Sequence, residues 1–350
     1  MQKPKILVLR RDNIGDLICT LPLVAALRQL LPDARIDLLV NSYCVSLVEG
    51  NTDVNHVFFY TKAKHRKKGE SWLSVYTKRF LLTLRLRLIR YDFLVLANVS
   101  CLPRPLRWAK QIGAKRVIGF IELGNDLGGS VISDPIPLFR ESAKHEVEYL
   151  MALLGPFGKV DAFPKAVVKP NPEMRLKAQK LLKTASGIKP IIGINISARL
   201  LTQRWPTERF IELICRLVPS FRCVLFWSPG TDSSAGHPGD DAKASEILVA
   251  TQELDVIGYP TLVLSELIAA IDCVDLFVSP DGGALHIGAA CGKPTIALFG
   301  EANPEQWYPW RVNHLILRPT TRNLADLSVD ELEYACLSML GQDQNAISQP

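Results

Sequence analysis

The chain has no Cys-x-x-Cys pair, no G-x-G-x-x-G fingerprint and no apolar run of membrane-spanning length. Each absence removes a class of protein. The eight cysteines, at 19, 44, 101, 215, 223, 273, 291 and 336, are scattered, and several lie inside apolar runs. That distribution predicts reduced core thiols rather than disulfides or a zinc site. Without a glycine fingerprint after a strand, an NAD-dependent dehydrogenase is a poor reading. Without a long apolar run no spanning helix is expected, and the five apolar-leaning residues 5–9 (KILVL) are too few for a signal-peptide core. The expectation is a cytoplasmic protein, with room for peripheral attachment to the inner face of the cytoplasmic membrane.

A large excess of one sign of charge is also lacking. A net charge of +6 over 350 residues suits an anionic substrate or a membrane surface and does not call for nucleic acid. With 48% hydrophobic and 22% charged residues, the chain can bury a large core, and its length favours two domains.

Short apolar runs alternate with helix-like stretches. Strands are expected at 5–10, 35–40, 56–60, 92–97, 115–120, 190–195, 222–227, 274–278 and 294–299. Runs apolar at consecutive positions suit strands covered on both faces, as in parallel sheets. Between the first two, Leu17, Leu21, Val24, Leu27 and Leu31 fall at helical spacing and predict one apolar stripe. The pattern reads as α/β, with two Rossmann-like domains whose mostly parallel sheets face a cleft. Residues 155–172 are rich in proline and glycine, so the expected boundaries are 1–160, 170–325 and a tail, 326–350, packing back on the first domain.

Residues 62–90 carry ten Lys/Arg and one acid, Glu70. One reading is a solvated helix face with a basic loop, and the other is a patch for a polyanionic acceptor or anionic lipid headgroups. Trp72, Tyr76 and Phe80 stand at helical spacing, which reads as core packing rather than base stacking.

Two stretches carry chemistry. In 274–291 a strand runs into Ser279-Pro280-Asp281-Gly282-Gly283, and a short helix is expected over 284–291. Backbone N–H groups in that helix's first turn suit a diphosphate. His286 can add a donor to a phosphate oxygen, or be a packed histidine, and Asp281 can hold the turn or simply cap the helix. In the second stretch, Asp16 stands in the turn after the first strand, at a helix mouth that ought to attract anions. It is either a base aimed at the ligand site or an acid answering the helix dipole.

These residues resemble glycosyltransferase family 9, the heptosyltransferases of lipopolysaccharide core assembly. Gly15, Asp16, Thr20, Leu21 and Pro22 match its opening G-D and T-L-P block. Asp281, Gly283, His286, Gly292, Pro294, Phe299, Gly300, Pro304, Trp307 and Pro309 match its C-terminal signature. Arg204-Trp205-Pro206 with Glu208 and Phe210 is similar to a third block, and the three together span nearly the whole chain.

The resemblance implies a GT-B transferase, inverting and metal-independent, using a nucleotide-sugar as co-substrate and no further cofactor. Its donor would be ADP-heptose and its acceptor a lipopolysaccharide core. Asp16 would be the catalytic base. Donor binding would fall to Ser197, Arg199, Gln203, Arg204, Asp240, Asp241, Asp281, Gly282, Gly283, Ala284, Leu285 and His286. Acceptor binding would fall to Asn13, Lys64, Arg66, Lys67 and Lys68. Two positions depart from the pattern: Gly282 replaces a Ser/Thr, and Gln203 stands where a lysine is expected, leaving Arg204 or Arg199 to supply that charge. A nucleotide-sugar 2-epimerase and a non-catalytic nucleotide or glycan sensor are the competing readings.

Overall fold

In a computed structural model, the structure describes residues 3–61, 72–122, 124, 127–139, 144–182, 189–231 and 238–341. The chain divides into two compact units, 1–167 and 168–350.

The first unit runs β1 (Lys5–Leu9), α1 (Ile14–Leu30), β2 (Arg35–Asn41), β3 (His56–Tyr60), α2 (Trp72–Ile89), β4 (Phe93–Leu96), α3 (Pro103–Ile112), β5 (Arg116–Ile121), β6 (Asp134–Pro137) and α4 (Glu146–Met151). Its six strands pair in parallel in the order β3-β2-β1-β4-β5-β6. The second unit runs α5 (Pro172–Leu182), β7 (Ile191–Asn195), α6 (Thr207–Leu217), β8 (Arg222–Trp227), α7 (Asp241–Ala250), β9 (Val256–Pro260), α8 (Leu264–Ile271), β10 (Leu276–Pro280), α9 (Gly283–Ala290), β11 (Thr295–Leu298), α10 (Pro304–Trp307), β12 (His314–Leu317) and α11 (Val329–Met339). Its sheet is also parallel, in the order β12-β11-β10-β7-β8-β9. Both orders are doubly wound, and each reverses direction at one point: between β1 and β4 in the first sheet, between β7 and β10 in the second. Open sheets of this kind bind ligands at the carboxyl ends of the strands flanking that reversal.

Central strands are buried throughout, as their uninterrupted apolar runs require: Ile6 to Leu9 and Leu276 to Val278 are fully buried. All nine expected strands form. The three that were not expected, β6, β9 and β12, are all sheet edges. One side of an edge strand is unpaired, so its sequence tolerates proline and polar residues, as in Asp134-Pro135-Ile136-Pro137.

Four readings change. α1 buries more than one stripe, because Ile18, Cys19, Leu23 and Ala26 are as covered as Leu17 and Leu21, with α4 packing beside it. β10 continues two residues past 278, and α9 begins at Gly283 rather than 284. α11 belongs to the second unit's core, where Val329, Leu332, Ala335 and Cys336 sit with Trp205 and Phe210. Residues 342–350 lie outside the described ones. Finally, Tyr76 and Phe80 are exposed, not core. The inward positions of α2 are Val75 and Leu86, on a different face of the helix.

The cysteines are free, and six of the eight are buried; Cys215 is exposed and Cys291 half-buried.

Candidate active site

In the first unit, the chain leaving β1 places Arg10 beneath the first turn of α1. Arg10 is buried, and its Nη1 donates to the Ala97 carbonyl just beyond β4. Nη2 donates to Asp16 Oδ1 at 2.5 Å and to Glu146 Oε1 at 3.1 Å, while Nε lies 3.4 Å from Asp12 Oδ2. Burial alone would pull the guanidinium's pKa down, but Asp16, Glu146 and Asp12 together hold it above its ordinary value. One cation thus sits among three carboxylates.

Asp16 has a second engagement. Its Oδ2 accepts from the Asn13 backbone N–H at 3.1 Å, the reciprocal half of a capping box on α1. The dipole-answering role and the base role are therefore compatible, since an oxygen with one partner keeps a second lone pair for a substrate proton. The carboxylate retains 19% side-chain exposure, against 3% for Arg10 and 4% for Glu146, so of the two acids on Nη2 it is Asp16 that opens to solvent. Asn13 is exposed beside it. Asp12 accepts from Asn98 Nδ2, and Arg11 Nε donates to Tyr60 Oη at 2.7 Å, which fixes the ends of β1, β3 and β4 together.

Lys64, Arg66, Lys67 and Lys68 lie outside the described residues. Glu146 and Asp12 escaped the sequence reading. Glu146 has no local signal, since it meets Arg10 across 136 residues through the packing of α4 on α1.

In the second unit, the corresponding strand ends belong to β7 and β10. Asp281 follows β10, and its Oδ2 accepts from Gln203 Nε2 at 3.0 Å. Burial pushes the Asp281 carboxyl above the usual carboxylate range, against the pull of His286 and of hydrogen bonds from Gln203 and Gly282. Gly282 holds φ at 153°, a conformation that favours glycine, and the Ser/Thr of the family pattern would be strained there. Gly283, Ala284 and Leu285 then supply the first-turn N–H groups of α9, which have no partner within the helix. Only the backbone of Leu285 is on offer, because its side chain packs in a core cluster with Ala297 and Phe299. His286 is buried edge-to-face against Trp307, ring centres 5.8 Å apart.

The remaining donor-side residues gather around the ends of β7 and β8. Ser197 Oγ accepts from the Ser228 N–H at 2.8 Å. Arg204 Nε donates to the Ala198 carbonyl at 3.1 Å, and Nη1 lies 3.6 Å from buried Asp240. Asp241 uses one oxygen on Trp227 Nε1 and the other on the Gly230 N–H, both at 2.8 Å, which makes it a clamp on the turn after β8. Arg199 is exposed. Gln203, where the lysine was expected, is buried and committed to Asp281.

Among the described residues no group of three or more His, Cys, Asp or Glu is arranged to hold a metal ion, and no helix is long and apolar enough to cross a membrane.

Residues 108–335 match the profile of glycosyltransferase family 9 (heptosyltransferase). The chain is 25% identical over 309 residues to lipopolysaccharide heptosyltransferase 3 of Escherichia coli K12, covering 85% of this chain and 83% of that protein. Among solved structures it is similar to a family 9 glycosyl transferase from Veillonella parvula, with a TM-score of 0.81 at 19% identity over 97% of this chain and 98% of the other. It is also similar to the E. coli ADP-heptose lipopolysaccharide heptosyltransferase II, with a TM-score of 0.77 at 21% identity over 97% and 99%. At those identities the structural likeness establishes the fold, an α/β architecture of the GT-B type.

Proposed function

The chain belongs to glycosyltransferase family 9, the heptosyltransferases, and on that premise we propose that it moves a heptose from ADP-heptose to a lipopolysaccharide core acceptor, with Asp16 as the base. It is a glycosyltransferase, which sets aside the epimerase and sensor readings. The observation that carries the finer proposal is Asp16 itself: a carboxylate at the reversal point of the first sheet, oriented by Arg10 and Asn13 and still open to solvent.

In the proposed step an acceptor hydroxyl oxygen attacks the anomeric carbon of the heptose, and Asp16 takes its proton. The bond from that carbon to the diphosphate oxygen breaks, its electron pair leaves with ADP, and the configuration inverts. The first-turn N–H groups of α9 carry partial positive charge suited to the departing diphosphate. Asp281 and Gln203 hold that turn in shape. Arg204, anchored by Ala198 and Asp240, supplies a cation near the same strand ends. Metal independence belongs to the proposal, and its support is that the space among Asp12, Asp16 and Glu146 is filled by the Arg10 guanidinium. The E. coli relatives, a lipopolysaccharide heptosyltransferase and an ADP-heptose lipopolysaccharide heptosyltransferase, support the ADP-heptose donor and a lipopolysaccharide acceptor, and the core as its site belongs to the proposal. A cytoplasmic location fits a nucleotide-sugar consumer.

Two measurements test this. In a thermal-shift panel of ADP, UDP and GDP, ADP alone should raise the melting temperature by several degrees, through preferential binding to the folded state. Asp16→Asn should keep that shift and lose transfer by at least about a hundredfold. A shift with another nucleotide instead removes the adenine, and undiminished turnover removes Asp16 as base.

A further inference from the structure

α2 is apolar on two opposite sides. Val75 and Leu86 face the first unit's sheet and are buried. Leu73, Tyr76, Phe80, Leu81, Leu84 and Leu88 point away from it, with exposures from 44% at Leu84 to 73% at Leu73. At 100° per residue these six lie within one arc centred opposite Val75 and Leu86. Six large exposed apolar side chains on one helix face exceed the scattered singles of an ordinary surface.

The borders of this face are cationic. Lys78 and Arg85 stand along one edge, Arg87 falls near the other between Tyr76 and Phe80, and residues 72–89 contain no acid. Arg85 packs over Phe58 at 5.2 Å, and Arg87 Nη1 donates to the Gln111 carbonyl at 3.3 Å, so both stems lie along the body of the unit. An apolar strip bordered by Lys and Arg is the composition of a helix lying in a bilayer interface, with apolar side chains among the acyl chains and cations at the headgroups. Its four cations, Lys78, Arg79, Arg85 and Arg87, bar it from spanning a membrane.

We infer that the outward face of α2 seats the protein on an anionic lipid bilayer. Charge selects this occupant over a second copy of the chain. Two copies joined through α2 would bring their Lys78, Arg85 and Arg87 together with no acid on either helix to offset them. Anionic headgroups complement the same residues. The inference stands beside the heptosyl-transfer proposal without needing it, because vesicle binding involves no sugar chemistry.

Co-sedimentation of the full-length protein with vesicles tests it. Vesicles of phosphatidylglycerol with phosphatidylethanolamine should bind it at least about tenfold more tightly than vesicles of phosphatidylcholine, and added salt should weaken that binding. Phe80→Ser/Leu84→Ser/Leu88→Ser should lower binding to the anionic vesicles by about tenfold or more, with the melting temperature retained. Lys78→Gln/Arg85→Gln should do the same at low salt. Equal binding to both vesicle types overturns the inference, as does wild-type binding by the folded triple variant. A wild-type dimer that the triple variant loses overturns it too, in favour of a second copy as the occupant.

Discussion

Arg10 and Asp16 are joined six residues apart, Nη2 to Oδ1 at 2.5 Å, and the same nitrogen reaches Glu146 at 3.1 Å. The two acids differ in one respect that matters for chemistry. Asp16 is partly open and Glu146 is not. On the proposal that Asp16 is the base, Glu146 is a positioning residue that acts through Arg10, sharing Nη2 with Asp16 and so holding the guanidinium in place beneath it.

Stability and activity should separate at this pair. Arg10→Met takes the guanidinium away from buried Glu146 and should cost about 3–5 kcal/mol. Arg10→Met/Glu146→Leu removes both charges and should recover most of that loss in denaturant unfolding. Transfer should stay at least about tenfold low in kcat in the double variant, because Asp16 has lost its anchor. Glu146→Gln, which keeps shape and an acceptor oxygen, should lower kcat with little change in the donor KM. Full activity in the stable double variant would reduce Arg10 and Glu146 to packing.

The parts of this molecule legible in its sequence are those whose signal is local. Runs such as Lys5–Leu9 and Arg222–Trp227 mark central strands because coverage on both faces demands apolar residues at consecutive positions. Asp16 and Asp281 stand out because each follows such a run at a turn. Glu146 does not, because an acid on a short helix looks solvated until α1 and α4 pack. The edge strands β6, β9 and β12 are masked by relaxed composition. The outward apolar residues of α2 mislead in the opposite sense: helical spacing reports that a face exists, and says nothing about what covers it.

Asp281 makes a pH prediction. Its carboxyl is raised by burial, so between the ordinary carboxylate range and that higher value the folded chain holds a proton the unfolded chain has lost. Its contribution is thus most favourable at low pH and declines as pH rises through the raised value. Asp281→Asn keeps an acceptor for Gln203 and removes the charge. The variant's melting temperature, relative to wild type, should be higher near neutrality than near pH 4, with about 2–4 °C for each kcal/mol relieved. A difference that does not change with pH would mean Asp281 is not the group responsible.

Gly300 links the end of β11 to the proposed donor side, and it predicts a coupled loss. A Cβ built there lands on the Thr202 carbonyl and lies 3.1 Å from the Arg322 carbonyl oxygen. Both obstacles are backbone, so neither can swing aside as a side-chain tip would. Thr202 sits in the turn Leu201–Gln203, whose last residue holds Asp281, and Arg318 Nε donates to the Gly300 carbonyl at 3.0 Å. Gly300→Ala must therefore push the 201–203 turn away and carry Gln203 with it. Overpacking of this kind costs about 1–3 kcal/mol. The melting temperature of the free protein should fall, and the ADP-induced shift should shrink beyond what Asp281→Asn alone produces. Gly288→Ala is the matched control, because its Cβ would meet the Phe277 ring at 2.6 Å, inside the core rather than at the turn. It should lower stability to a similar degree and leave the ADP shift intact. Equal loss of the shift in both variants would show that the effect comes from general destabilisation and not from displacement of Gln203.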